Sequence, residues 1–356
     1  MQTEIFIAGA GLAGLSLATS LHKRGIDYWL AEGRDRVGGR ILSTEIGNDG
    51  NACGIADLGP SWIWPGQAKI AALLNELKLG VFDQYSSGRL VYEDELGQVR
   101  RDLDYSSMGG SLRVDGGISR VTDALAATLP GEAIHLSHRV CAIRETSGGY
   151  LVDLVHPGGR LQVAARKVVL AIPPRLIASL IEFEPILPEA IMQEMNSLPT
   201  WMAGHAKLFA FYEEPFWRAQ GLSGDGISRR GPLMEIHDAC AVNPGRGALF
   251  GFVGLPAGSA LREPSQLIND AVRQLEKMYG AAAKPIDVTL KDWAEEEFTA
   301  TDADQVVSQH PTYGLPPGMA TLADKGLLFA STEIAPQFGG FIEGALEASR
   351  DVLARL

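Results

Sequence analysis

Cysteine is scarce in this sequence of 356 residues. Its three cysteines, Cys53, Cys141 and Cys240, lie far apart, and neither a Cys-x-x-Cys pair nor a histidine cluster accompanies them. Because disulfide frameworks and zinc sites need cysteines at close or regular spacing, we expect neither in this protein, and we expect no bound metal. The expected compartment is a reducing one, the cytoplasm.

Long apolar runs and an excess of positive charge are also missing. No stretch approaches the roughly 20 apolar residues of a transmembrane helix, and the first strand-like run begins by residue 4, so we expect no signal peptide. The net charge of −12 and the pI of about 5.1 disfavour nucleic acids and anionic membranes as partners. The length and the 46% of hydrophobic residues instead predict two domains with large cores.

The sequence opens with a motif typical of nucleotide binding. The apolar residues 5–8 lead into Gly9-x-Gly11-x-x-Gly14, a helical pattern follows, and a second apolar run ends at Glu32. This order of strand, glycine turn, helix, strand and acid is the fingerprint of dinucleotide-binding βαβ units. The glycines permit a tight turn and bring a diphosphate close to a helix N-terminus. A glycine turn alone could be only a turn, but this context predicts a dinucleotide site.

The segment after Glu32 carries a family resemblance. It reads Gly33-Arg34-Asp-Arg-Val-Gly-Gly39-Arg40, and the pattern Glu-x-Arg-x-x-x-Gly-Gly-Arg resembles the flavin-containing amine oxidases, which include monoamine and polyamine oxidases. The resemblance, to a short bacterial-type member, implies an FAD cofactor. It places Glu32 and Arg34 at the adenosine ribose, and Gly39 and Arg40 toward the diphosphate and the flavin.

Further stretches match the same family along nearly the whole chain. Residues 57–62, Asp-Leu-Gly-Pro-Ser-Trp, are similar to the family's segment beside the flavin, although on their own they are equally typical of a surface turn with a core tryptophan. The C-terminal signatures imply that the last helix points its N-terminus at the flavin. The further cofactor-binding residues implied by these matches are Gly59, Pro60, Ser61, Trp62, Val140, Glu333, Gly340, Phe341 and Ile342.

The resemblance also implies the fold class. It is α/β, or α+β over the whole chain, with a Rossmann-like FAD-binding domain of the glutathione-reductase and amine-oxidase type and a discontinuous mixed-sheet substrate domain. The expected FAD-binding domain comprises residues 1–68, 112–196 and 294–356, and the expected substrate domain comprises residues 69–111 and 197–293.

Several local patterns predict elements within these domains. Alternation with glycine turns predicts an antiparallel meander over residues 133–163. Amphipathic periodicity predicts a helix over 264–279. The proline-containing residues 299–325 are expected to form a long loop, and the acidic residues 295–297 are expected to form a solvated face.

A lysine on an apolar strand face is the main anomaly in the sequence. Residues 205–212 alternate so that Lys207 shares a face with His205 and two phenylalanines. An edge or snorkelling lysine is the ordinary explanation. The family, however, has a lysine in this strand before a Pro-Phe-Trp run, which here is 215–217, and there it holds a water against flavin N5. The resemblance therefore implies that Lys207 is catalytic.

The substrate cage of the family commonly has two aromatic walls in front of the flavin. The resemblance implies that Phe341 forms one wall and is a catalytic-site residue, and the candidates for the other include Phe298 and Tyr313. Amino-acid oxidases of the same superfamily carry an arginine for the substrate carboxylate near the stretch that here reads Pro60-Ser61-Trp62. Its absence favours an amine substrate.

The function implied by the resemblance is that of an FAD-dependent amine oxidase. A hydride equivalent would pass from the α-carbon of the amine to flavin N5, the imine would be hydrolysed, and O2 or another acceptor would reoxidise the flavin, with O2 giving H2O2. FAD should be non-covalent, since no cysteine follows Cys240 for a cysteinyl bond. The alternatives are an amino-acid oxidase, a desaturase or dehydrogenase of a non-amine substrate, and a binding module with structural FAD. The sequence is also compatible with a homodimer.

Overall fold

In the computed structural model, residues 1–46, 54–243, 245–305 and 310–356 are described, and Cys53 lies outside them. The strands there are β1 (Gln2–Ala8), β2 (Tyr28–Ala31), β3 (Ser43–Ile46), β4 (Gly54–Asp57), β5 (Val81–Asp83), β6 (Arg89–Glu93), β7 (Val99–Leu103), β8 (Leu112–Val114), β9 (Ile134–His135), β10 (Arg139–Thr146), β11 (Gly149–His156), β12 (Gly159–Leu170), β13 (Glu182–Glu184), β14 (Ala206–Tyr212), β15 (Leu222–Ser228), β16 (Leu233–Asp238), β17 (Gly247–Val253), β18 (Asp287–Asp292) and β19 (Leu327–Phe329). The α-helices there are α1 (Leu12–Lys23), α2 (Ala68–Glu76), α3 (Ser119–Ala127), α4 (Pro174–Leu180), α5 (Glu189–Ser197), α6 (Phe216–Ala219), α7 (Pro264–Tyr279), α8 (Pro317–Ala323) and α9 (Ile342–Leu353).

The first large sheet has the order β13-β10-β11-β12-β1-β2-β9, with β19 also paired to β12. Its centre is parallel, because β1 pairs in parallel with both β2 and β12. Helices cover both faces, so β1 is apolar on each side: Ile5 and Ile7 join the core with α1, α3 and α9, whereas Phe6 joins the core with α4 and α5. This layering is typical of nucleotide-binding α/β folds.

The turn between β1 and α1 depends on a glycine at residue 14. A Cβ on Gly14 would lie 1.9 Å from the backbone oxygen of Gly9, which no real side chain tolerates. The absence of a Cβ lets the first turn of α1 pack directly on the end of β1. Gly14 is therefore needed for the helix to pack on the strand.

The second large sheet has the order β18-β14-β17-β16-β15-β6-β7. One face of β14, which includes Leu208 and Tyr212, packs with α7 in a separate core. The opposite face carries Phe209 and Phe211, which pack with Ala56 and Leu58 from the segment that follows Arg40 and Ile41. The second sheet therefore rests, through this aromatic face, on the edge of the nucleotide-binding layer.

The structure confirms most predicted elements and changes one. The antiparallel β10-β11-β12 meander and the helix α7 lie where the sequence predicts them. The expectation of a loop throughout residues 299–325 is wrong, because α8 lies within it. Its first residue is Pro317, and proline is well suited to the first helical turn, where its missing N–H is not needed. The carboxylate of Glu194 then accepts hydrogen bonds from the backbone of Gly318 and Met319.

The predicted domain boundaries stay a prediction. The strands of the first large sheet all come from the expected FAD-binding segments, and those of the second all come from the expected substrate segments. Ile70 and Leu74 of α2, however, pack in the same core as α1 and α9, although residues 69–111 were expected in the substrate domain. In the part of the chain that is described, no helix is long and apolar enough to cross a membrane.

Candidate active site

A long cavity runs from the carboxyl ends of β1 and β2 to the aromatic face of the second sheet. It brings together residues that are up to about 330 positions apart in the chain, which is where open α/β folds place ligands. Of the predicted site residues, the cavity is lined by Gly9, Gly11, Glu32, Arg34, Gly39, Arg40, Gly59, Pro60, Ser61, Trp62, Val140, Lys207, Gly340, Phe341 and Ile342. Gly14 and Glu333 lie behind its wall.

At one end of the cavity the N-terminus of α1 is open. Its N-cap residue, Gly11, has no side-chain cap, so the first N–H groups of the helix keep the positive end of the dipole free for an anion. A Cβ on Gly11 would have no atom nearer than 3.9 Å, which shows that space lies in front of the turn. The buried Glu32 carboxylate accepts hydrogen bonds from the backbone of Ala10 (2.8 Å) and Arg34 (2.9 Å). These bonds fix the acid beside the helix terminus.

Arg34 connects this end to the acidic turn 295–297. Its guanidinium donates a hydrogen bond to Thr299 Oγ1 at 2.7 Å, contacts the carboxylate of Glu296 at 3.4 Å and lies over the ring of Phe298. The expected solvated acidic face is thus only partly correct, because Glu296 also pairs with Lys291 and is structural. Phe298 packs over Gly33 at the nucleotide end of the cavity.

Arg40 and Glu333 form the main ion pair of the cavity wall. Arg40 Nη1 and Nη2 donate to the two carboxylate oxygens of Glu333 at 2.6 and 3.1 Å, a bidentate geometry. Burial alone would lower the pKa of Arg40, but the Glu333 carboxylate outweighs it, and the pKa is raised. Glu333 is fully buried behind the arginine. The contact of Glu333 with the cofactor stays a prediction, and in this structure its carboxylate holds Arg40.

Lys207 lies at the other end, under the segment that begins at Asp57. Its ammonium donates to the backbone oxygens of Asp57 (2.7 Å) and Gly59 (3.0 Å) and to Ser61 Oγ (2.7 Å), and it lies 4.0 Å from the ring centre of Phe250. Burial lowers the pKa of Lys207 to about 7, against an opposing effect of Asp57. This lysine does not snorkel to solvent, because only 3% of it is exposed.

Gly59 is required for this arrangement in a way that the sequence did not indicate. A Cβ at Gly59 would lie 2.0 Å from the backbone oxygen of Arg40. Any side chain there would push apart the segment that carries Arg40 and the one that carries the three acceptors of Lys207. The lack of a side chain at Gly59 therefore lets the segment of Arg40 pack directly on the segment that binds Lys207.

Two further features fit an elongated cofactor with a charged centre and a polar ring. Ser331 lines the cavity, and its hydroxyl is buried without a hydrogen-bond partner among the described residues. The N-terminus of α9, at Phe341 and Ile342, also lacks a side-chain cap and lies on the cavity wall. Two open helix N-termini, Arg40 and an unpaired hydroxyl are suitable partners for a diphosphate and for the carbonyl groups of a flavin. The residues present therefore fit FAD.

Comparison with known proteins decides the family. Residues 12–103 and 79–354 match the family described as Flavin containing amine oxidoreductase. The chain belongs to this family. It is an FAD-dependent oxidoreductase that acts on amines.

Individual relatives agree with this assignment. The putrescine oxidase of Kocuria rosea is 27% identical, over 84% of each chain. The flavin-containing amine oxidase B of Mus musculus is 23% identical, over 98% of this chain and 84% of its own. The solved structure of a wild-type putrescine oxidase bound to putrescine superimposes with a TM-score of 0.81 at 23% identity, covering 99% of this chain and 98% of that one. This last likeness confirms the fold class.

Trp201 is a cavity residue that the sequence analysis did not name, and it is a further candidate for the second aromatic wall. Trp201 lines the cavity and packs directly on Gly340, next to Phe341. Of the candidates named from the sequence, Phe298 lines the nucleotide end of the cavity. Tyr313 is buried behind the wall, where it packs on Gly339 and bonds its hydroxyl to the Pro199 oxygen. Trp201 lies six residues before Lys207, just ahead of β14. This position was the only feature of the sequence that could have suggested that Trp201 lies near the site.

Proposed function

We propose that this amine oxidase family member oxidises the C–N bond of a primary amine by loss of a hydride equivalent from the α-carbon. Bound FAD would accept that hydride equivalent and pass the electrons to O2. The protein residues would orient the amine between Trp201 and Phe341 and exclude water from the reacting carbon. The released imine would be hydrolysed in solution. The apolar walls and the buried Lys207 support this proposal.

The hydrogen bonds of Lys207 define what it can do. All three ammonium protons are used by protein acceptors, so a water held by Lys207 would have to replace one of them. Ser61 is the partner that can yield, because its side chain rotates, whereas the oxygens of Asp57 and Gly59 are backbone atoms. We infer that Ser61 gives way when Lys207 orients a water at the reacting end of the cavity.

The sheet geometry favours an amine with a second positive charge. In β14, β17 and β16, Lys207 pairs directly with Phe252, and Phe252 pairs with Glu235. Directly paired residues project from the same face, and Phe252 lines the cavity, so Glu235 lies on the cavity side of the sheet just beyond the lining residues, about 10 Å from Lys207 at the usual strand spacing and beside His237. Its carboxylate is about half exposed. From this row of Lys207, Phe252 and Glu235 we propose that Glu235 binds the distal ammonium group of the substrate.

The similarity to proteins named putrescine oxidase agrees with that substrate class. Putrescine has an ammonium at each end, whereas n-butylamine has one. A Glu235→Gln variant should lose about tenfold in kcat/KM for putrescine, or roughly 1.4 kcal/mol, and little for n-butylamine. Glu182→Gln, an exposed carboxylate of the first sheet, serves as the control. Equal losses for both amines would contradict the assignment of Glu235.

The electron acceptor separates an oxidase from the alternative of a dehydrogenase or desaturase. We infer that O2 is the acceptor and that H2O2 is formed in equal amount to the oxidised amine. The reduced protein should be mixed with air-saturated buffer in a stopped-flow instrument while the flavin absorbance is followed. Reoxidation much slower than steady-state turnover with a quinone would favour the dehydrogenase.

A further inference from the structure

A histidine beside Glu235 is buried between two acids. His237 stands two residues after Glu235 in β16, so the two side chains project from the same face of the second sheet. Its Nδ1 lies 3.0 Å from Oδ1 of Asp225 in β15, and its Nε2 lies 3.7 Å from Oε2 of Glu235. Only 1% of His237 and 1% of Asp225 are exposed. The imidazole therefore connects a fully buried acid to the half-exposed acid assigned to the distal ammonium.

The two ring nitrogens of His237 have different partners. Nδ1 shares a hydrogen bond with Asp225, and since an ionised carboxylate only accepts, Nδ1 carries the proton of that bond. Nε2 is buried and has no hydrogen-bond partner among the described residues, because 3.7 Å is too long for a hydrogen bond. A neutral ring presents a lone pair at Nε2 to Glu235, whereas an imidazolium presents an N–H. The protonation of Nε2 therefore decides whether Glu235 has a cationic partner beside it.

The side chains around His237 fix the position of its ring. Trp62 lies edge-on with ring centres 5.0 Å apart, and Phe250, the direct partner of His237 in β17, lies at 5.3 Å. The described titratable groups on the same face of the neighbouring strands, or acting on Glu235 from the start of β14, are Tyr92 of β6, Asp225 of β15, Glu235 of β16, Lys207 of β14 and His205. Of these, the carboxylates of Asp225 and Glu235 pair with the ring nitrogens.

The two acids favour the protonated ring. Burial alone would lower the pKa of His237, but the carboxylates of Asp225 and Glu235 outweigh it, and the pKa is raised. Correspondingly, the interaction with His237 lowers the pKa of Glu235 against the effect of burial. Because an ordinary histidine has a pKa of about 6.5, the ring of His237 loses its proton only above that pH. At lower pH, Glu235 therefore faces a positive charge supplied by the protein itself.

We propose that His237 determines how strongly the site prefers a diamine to a monoamine, because it competes with the distal ammonium for Glu235. When the ring is protonated, it neutralises Glu235, and a diamine gains little from its second charge. When the ring is neutral, the distal ammonium is the cation nearest to Glu235, and the diamine is preferred. Binding and deprotonation are linked, so a bound diamine also promotes loss of the ring proton to solvent. This inference rests on the proposed binding of the distal ammonium by Glu235.

The ratio of kcat/KM for putrescine to kcat/KM for n-butylamine tests this role across pH. Both amines react through an alkyl ammonium of pKa about 10 that must first lose its proton, so below about pH 9 this requirement cancels in the ratio. Lys207, with a pKa of about 7, acts at the reacting end that both amines share. In the wild type the ratio should rise about tenfold as the pH passes the raised pKa of His237, the order expected when a unit charge is removed a few ångströms from the distal ammonium.

Two variants assign the rise to His237. His237→Asn keeps an N–H for Asp225 but cannot be protonated, so its ratio should be high at every pH. Asp225→Asn removes a carboxylate that raises the pKa of the ring, so the rise should move to lower pH. His22→Asn, at an exposed histidine near the end of α1, is the matched control and should keep the wild-type profile. A flat ratio in the wild type, or a rise that persists in His237→Asn, would overturn the proposal.

A titration of His237 tests the proposal without turnover. In the FAD-loaded wild-type protein labelled with ¹⁵N-histidine, the ring nitrogens of His237 should change from the imidazolium to the neutral form with the same midpoint as the ratio, the resonance being assigned by its loss in His237→Asn. Glu235→Gln should lower this midpoint, and a ring that keeps one form from pH 6 to pH 9 would refute the role of His237. If Glu235→Gln lowers kcat/KM for putrescine selectively while the wild-type ratio is flat, only the role of His237 fails. Equal losses for both amines in Glu235→Gln would instead remove the proposed function on which it rests.

Discussion

Replacement of Lys207 by methionine tests both the electrostatics and the chemistry of the site. Methionine keeps the apolar stem and removes the ammonium that is bonded to Asp57, Gly59 and Ser61. In the folded protein the lysine has a pKa of about 7, whereas in the unfolded chain it keeps the ordinary value of 10.5. Between these two values the unfolded state binds more protons, so the contribution of this group to stability rises with pH.

The magnitude follows from the two pKa values. Integrating the linkage relation from pH 7.5 to pH 9.0 gives about 2 kcal/mol, and this gain is present in the wild type and absent in Lys207→Met. Urea unfolding of the two apoproteins, followed by tryptophan fluorescence, gives the free energy of unfolding at each pH. The change in this free energy between pH 7.5 and pH 9.0 is then compared between wild type and variant. Lys284→Met, an exposed lysine, is the control and should show no such change.

Two results would refute the reasoning on Lys207. A stability difference between wild type and Lys207→Met that is the same at pH 7.5 and pH 9.0 would show that the lysine is not desolvated as the structure indicates. In the loaded enzyme, the variant should retain FAD but slow flavin reduction or reoxidation by at least tenfold, roughly 1.4 kcal/mol of barrier. Unchanged rates in both half-reactions would leave Lys207 with a structural role only.

Three further predictions concern the cofactor, the ion pair and the substrate. Acid precipitation should release all flavin as FAD, because no cysteine follows Cys240 in the sequence, and flavin that stays in the washed pellet would contradict this. Glu333→Gln should lower the free energy of unfolding by about 3 kcal/mol, since it leaves Arg40 without its buried partner; unchanged urea midpoints would contradict it. Phenethylamine should exceed phenylalanine in kcat/KM by about a hundredfold or more, because no arginine lines the catalytic end for a carboxylate among the described residues, and a faster amino acid would contradict an amine site.

Much of the nucleotide end could be predicted because its geometry is local. Gly9, Gly11 and Gly14 act within one turn, and Glu32 follows directly from the next strand, so spacing along the chain is enough to place them. Lys207 was detectable for a related reason: a charged residue on an alternating apolar face is visible without any knowledge of its partners.

The rest of the site depends on contacts between distant parts of the chain. The pairing of Arg40 with Glu333 spans 293 positions, and nothing in the sequence around either residue identifies the other as its partner. The contact of Trp201 with Gly340 likewise arises only from tertiary packing. The position of Glu235 could be found only from the strand register, because a shift by one residue would put its carboxylate on the opposite face of the sheet.

The most direct test of the central claim is anaerobic reduction of the bound flavin by an amine. The FAD-loaded protein should be titrated with putrescine, n-butylamine and phenethylamine in the absence of O2 while the flavin absorbance is recorded. Oxidation of an amine at this site predicts full bleaching by at least one of them, with one amine consumed per flavin and ammonia released after hydrolysis. A flavin that stays oxidised with all three amines, and is reduced instead by an amino acid or a non-amine substrate, would contradict the account.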